Sequence, residues 1–138
     1  MTRTQLLALP ALTLLLLAGA CKKSAPPPVP VADEAAIRAR YTQMMTSLCQ
    51  DSFTNAVAVA DPETQANEGK MKLIYGAGRL LIGLGQHQPE DFRVDRVELG
   101  PNGTNAQVFT SVRRGGKWEP DPKPGTWLCH SNLWYARF

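Results

Sequence analysis

The spacing of the apolar residues changes at Pro89, from three and four apart to strict alternation, and that change bounds the folds open to the chain. Between Asp33 and Gln50, Ile37, Tyr41, Met44 or Met45 and Leu48 share one side of a helical wheel, with Arg38, Arg40 and Gln43 elsewhere. The spacing predicts an amphipathic helix with Asp33 as its N-cap and Cys49 on the flank of the buried stripe. A second helical pattern runs from Glu68 to Leu84 through Met71, Ile74 or Tyr75, Gly78, Leu81 and Leu84. Each of Gly76, Gly78, Gly83 and Gly85 disfavours a helix interior by about 1 kcal/mol relative to alanine. Their presence points to close packing of this helix against a sheet, with Gly83 or Gly85 ending it. In between, Asp61-Pro62 is a stop or restart signal. Beyond Pro89, Phe92 to Leu99 and the alternating Ala106, Val108, Thr110 and Val112 predict two strands joined at Gly100-Pro101-Asn102-Gly103. The phase slips between Val94 and Val97, so a bulge is expected near Asp95 or Arg96. After a proline-rich, charged loop from Gly115 to Gly125, the run Thr126 to Phe138 alternates Trp127, Cys129, Leu133 and Tyr135 with Leu128, Trp134 and Phe138 and reads as one long closing strand with Trp127 and Trp134 on opposite faces. Helices first and an antiparallel sheet afterwards make an α+β domain, with N-terminal helices packed on one face of a curved sheet.

That domain occupies residues 31–138, long enough for one core and too short for two. Ahead of it, Arg3 precedes an apolar run from Leu6 to Leu17 in which Thr13 is the only polar residue, followed by Ala18, Gly19 and Ala20. This is the layout of an export signal, and its core falls short of the ~20 residues needed to span a bilayer. The segment Leu17-Ala18-Gly19-Ala20-Cys21 resembles the lipobox of bacterial lipoproteins, although that family most often has leucine where Ala18 stands. The resemblance implies that residues 1–20 are a signal peptide cut away before Cys21. It implies too that the Cys21 thiol carries diacylglycerol and that the new amino group takes a third acyl chain. Each buried methylene contributes about 0.8 kcal/mol, so two or more chains hold a protein firmly in a membrane. Lys22 and Lys23 can sit against anionic headgroups. Lipoproteins of this family kept in the inner membrane usually carry aspartate where Lys22 stands, so the implied address is the outer membrane, facing the periplasm. Residues 21–30, with Pro26, Pro27, Pro28 and Pro30, form an extended tether.

The charge of +3 is misleading for the domain. Arg3, Lys22 and Lys23 account for all of it, leaving 12 Lys and Arg against 12 Asp and Glu. A neutral domain argues against a nucleic-acid partner despite Arg113, Arg114 and Lys117. With Cys21 consumed by lipid, Cys49 and Cys129 are an even pair in an oxidising compartment, and a disulfide between them is expected. In the chain-entropy model it would stabilise the fold by about 4 kcal/mol. The only histidines, His87 and His130, have no second ligand at metal spacing, so no metal or other cofactor is expected.

The order of elements from residue 31 onward resembles the nuclear transport factor 2-like superfamily, with a cystatin-like arrangement of one helix on a sheet as the other option. Enzymes of the former place a tyrosine and aspartates inside a cone, which singles out Tyr41 and, after it, Asp51 or Asp61. Acids at a helix end or before proline are more often turn formers. Ser111 and Ser131 lack a nucleophile elbow, so no catalytic residue is assigned and an enzyme is not expected. Two functions remain open. One is a protein-binding module of the cell envelope, of an immunity or an assembly kind, with Trp118, Trp127, Trp134 and the loop from Pro120 to Gly125 as candidate contacts. Trp127 and Trp134, in an expected strand, are better accounted for as core, which leaves Trp118 as the exposed contact. The other is a small-ligand or isomerase-like pocket between helix and sheet, with Tyr41 in its wall. Exposed aromatic residues over a filled core would favour the first, and a deep apolar cavity with Tyr41 and a carboxylate the second.

Overall fold

The computed structural model describes residues 31–138, with side chains from Asp33 onward. The signal segment 1–20, Cys21 and the tether to residue 30 lie outside the described residues. Four helices precede the sheet: α1 (Val31–Cys49), α2 (Phe53–Val57), α3 (Pro62–Gln65) and α4 (Glu68–Gly85). A short 3-10 turn at Pro89–Asp91 leads into β1 (Phe92–Leu99), β2 (Asn105–Arg114), β3 (Lys117–Pro120), β4 (Gly125–His130) and β5 (Leu133–Arg137). The domain is α+β, and its several helices set it apart from a one-helix, cystatin-like layout.

The sheet runs β1-β2-β4-β5, all antiparallel. β2 is long enough to serve two neighbours on its second edge: Asn105–Val108 pairs with β4, and Ser111–Arg114 pairs with β3. The expected bulge is present, since Val94 and Arg96 take successive partners Thr110 and Phe109 and leave Asp95 unpaired. Its carboxylate instead accepts from the buried Ser111 hydroxyl. Such a bulge bends the strand over the helical layer.

The core lies between α1 and the concave face of the sheet. Ile37, Tyr41 and Met45 pack against Val94, Val97, Ala106, Val108, Trp127 and Trp134. Asp33 is not a cap: it sits within the first turn of α1 and accepts from the Trp134 indole at 3.4 Å. Asp61 is the cap that the sequence implied before Pro62, accepting from the backbone N–H of Thr64 at 3.3 Å and from its hydroxyl. The corner from Val59 to Asp61 pairs with the outer edge of β5, through Asp61 N–H to Ala136 O and Ala136 N–H to Val59 O, both 2.8 Å.

Two expectations about the C-terminal third are corrected. The presumed loop contains β3, and the presumed single closing strand is a hairpin, because Ser131 and Asn132 both take positive φ (50° and 63°) and reverse the chain. The two-residue turn pairs Trp127 with Ala136 and Cys129 with Trp134. Both tryptophans therefore face the core, 2 % exposed, instead of opposite sides.

The expected disulfide is also corrected, for Cys49 and Cys129 are free thiols. Cys129 is cross-strand partner to Trp134, whose indole touches Asp33 at the start of α1. Cys49 ends the same helix, about 24 Å further along its axis, whereas a disulfide needs Cα atoms within about 7 Å. Its sulfur instead approaches the His87 carbonyl at 3.8 Å.

Candidate functional site

Two features of the domain are unlike ordinary packing. The first is a cleft of about 480 Å³ between α1, the end of α4 and the sheet, within the range of small-ligand sites. Met45, Ile82, Phe92 and Val112 form its apolar wall, with Leu81 and Leu84 at its mouth, and Tyr41, Thr110 and Asp121 its polar end. The second half of α1 presents Tyr41 to the sheet because Ile37, Tyr41 and Met45 lie one turn apart on the buried side. Burial pushes the Tyr41 phenol far above the usual tyrosine range, so it remains neutral and a donor. Its hydrogen-bond neighbour is Thr110, whose own proton is committed to Asp121. Asp121 is fixed again by its backbone N–H, which donates to Thr110 O at 2.9 Å.

Tyr41 is thus where the sequence put it, but the carboxylate beside it is neither Asp51 nor Asp61. Asp51 accepts from the Tyr75 phenol at 2.7 Å and pairs with Arg79 on the surface, while Asp61 caps α3. Asp121 comes from the loop after β3, and flanking Pro120 and Pro122 signal a stiff turn without saying what it reaches. Next to the cleft, Asp91 receives the Gln88 backbone N–H at 2.8 Å and Arg113 at 2.8 Å, which hold its carboxyl below the usual carboxylate range. Ser111 is spent on Asp95, and Ser131 lies in the tight turn. Among the described residues no cluster of side chains could hold a metal ion.

Trp118 is not the bare contact residue the sequence suggested. It pairs across strands with Arg113 on the convex face, where the guanidinium groups of Arg93 and Arg113 lie 4.3 and 5.6 Å from the ring centroid. Arg96 covers Phe109 likewise at 3.6 Å, so arginines shield the aromatic residues of that face.

The second feature is the outer side of α4. Its inner side rests on α1, not on a sheet as expected: Met71, Gly78 and Ile82 turn inward, and an added Cβ at Gly78 would come within 3.3 Å of Leu48. Arg79 fixes the contact by donating to the last carbonyls of α1, Leu48 O at 2.7 Å and Cys49 O at 3.3 Å. Leu81 and Leu84, assigned to the buried stripe from spacing, are outside, 68 % and 75 % exposed, together with Leu73 at 74 % and Leu80 at 62 %. Leu73, Ala77 and Leu80 lie in one row opposite the core, and Leu84 continues the row to the mouth of the cleft. From Met71 to Gly85 the only charges are Lys72, paired with Glu68, and Arg79. A helix apolar on all sides is normally covered on all sides, and α4 is covered on one. No helix among the described residues is long and apolar enough to cross a membrane.

No family model matches the chain, and no curated protein does. Among solved structures it is similar to a candidate NTF2-like transpeptidase from Campylobacter jejuni, at 8 % identity and a TM-score of 0.47 over 78 % of this chain and 96 % of that one. It is similar also to a SEC-C motif-containing protein from Rhodopseudomonas palustris, at 20 % identity and a TM-score of 0.45 over 76 % of this chain and 74 % of that one.

Proposed function

We propose that the chain is a lipoprotein of the bacterial outer membrane, anchored through acyl chains on Cys21, whose periplasmic domain acts as a protein-binding module of the cell envelope. The observation that carries the binding role is the outer row of α4, Leu73, Leu80 and Leu84 with Leu81 beside it, each more than 60 % exposed. Contiguous apolar surface of this kind on a folded domain marks a contact site. Arginines over the Trp118 ring favour α4 over Trp118 as the contact. The anchor rests on the lipobox resemblance at Leu17 to Cys21 and on the proline tether behind it.

The test is capture of the lipidated chain from its native envelope, with mass spectrometry of the N-terminal peptide, for the natural sequence and for Leu80→Glu. The expected result is an acylated Cys21 and a stoichiometric protein partner that the substitution removes. An unmodified Cys21 in a soluble chain overturns the anchor, and a partner retained by Leu80→Glu overturns the site.

A second reading is favoured by one observation, the Tyr41–Thr110–Asp121 polar end of an otherwise apolar cleft. It would suit a small apolar molecule bearing one hydrogen-bonding group. A small molecule that co-purifies with the natural chain and not with Tyr41→Phe would support it.

A further inference from the structure

We infer that the partner docked on α4 is a second copy of this chain, the two α4 helices lying antiparallel about a twofold axis; the inference rests on the docking reading above. The row repeats at seven residues, with Leu73 and Leu80 one heptad apart and Gly76 and Gly83 one heptad apart beside them, as in a helix seam. A Cβ built on Gly76 or Gly83 meets nothing within 4 Å, so each glycine leaves a gap open to the outside. In a twofold interface the same patch must fit itself, residue i on j and j on i. Antiparallel pairing does this. It sets Leu73 of one copy beside Leu84 of the other and Leu80 beside Ala77, with leucines entering the gaps at the glycines.

Charge agrees with a self-pair. Two identical faces repel if they carry net charge, and the row from Leu73 to Leu84 holds no charged side chain. Beside it Lys72 is held by Glu68 at 2.6 Å and Arg79 by Asp51 at 3.3 Å, while Lys70, ahead of the row, keeps its charge and donates to the Phe138 carbonyl at 2.7 Å. An acidic or basic partner would leave a complementary charge on the row. Area sets the strength. α4 is about 27 Å long, and two such faces bury on the order of 1,000 Å² together, near the floor for a specific interface. Tethers on one membrane raise the local concentration of the two copies and offset the small area.

The test is made on the full lipidated chain in its own membranes, with a short bismaleimide linker and one new cysteine at a time. Ala77→Cys should give a covalent two-chain band. Asn102→Cys, in the turn after β1 and remote from α4, should match the background of the natural chain, and adding Leu80→Glu to Ala77→Cys should abolish the band. Absence of the two-chain band at position 77, or an equal band at 102, overturns the self-pair. If Leu80→Glu then still removes a different stoichiometric envelope protein from the capture above, the docking reading stands without the self-pair; if it removes nothing, both fall.

Discussion

Trp134 is the largest fully buried side chain among the described residues and bonds to α1 twice, its indole donating to Asp33 and its carbonyl accepting from Arg40. The sequence placed it and Trp127 in the core but on opposite faces, because Ser131-Asn132 does not carry the Asn-Gly signature that announces a two-residue hairpin. Asn132 supplies the left-handed conformation that the turn needs, and Ser131 follows under the pull of the ladder on both sides. The cysteines show a limit of another kind. Counting gave an even pair, whereas pairing depends on which end of α1 meets β4, and no spacing encodes that. Burial pushes the Cys49 thiol above its usual value, so it is a weak nucleophile at neutral pH. Both residues should be alkylated by iodoacetamide in the unfolded, unreduced chain, and in the folded chain at pH 8 Cys49 should react more slowly than a free cysteine. Alkylation only after reduction would mean that they are bridged.

Among the elements, α1, α4 and the β1–β2 hairpin were legible because each carries a periodic pattern over at least eight residues. β3 was not, since Lys117–Pro120 is short and polar and pairs on one side only. The orientation of α4 was unreadable for the opposite reason. With apolar residues on every side, spacing alone could not choose an inner face, and the choice was made by Gly78 against Leu48 and by Arg79 at the end of α1. The α2–α3 corner was ambiguous, yet Asp61-Pro62 did foretell its restart. Asp61 is 2 % exposed and bonded to Thr64, so its loss removes a cap and leaves the buried Thr64 hydroxyl unmatched. Asp61→Ala should lower the free energy of unfolding by about 1–2 kcal/mol, read from urea titration. A change within error would show that water replaces the cap freely.

At the scale of the whole molecule, the helical layer and the sheet are joined at the cleft by Asp91, between the Gln88 backbone and Arg113 of β2. Because its carboxyl is held below the ordinary value near 3.9, the folded state binds fewer protons than the unfolded state in the window between the two values. Its contribution is complete above about pH 4 and is lost as the pH falls through the lowered value. Urea midpoints of the natural chain and Asp91→Asn should therefore differ by a constant amount from pH 7 to about pH 4 and converge below it. A gap that persists to pH 2 would remove Asp91 from the account. The two rims of the sheet bear on a different matter. β5 is closed by Val59 and Asp61, and β1 is broken by its bulge and lined by Arg93, Asp95, Arg96 and Glu98. Both devices discourage strand addition at those rims, and the free side of β3, four residues long and ending at Pro120, offers little more, so the edges of this sheet are poor templates for pairing with another chain.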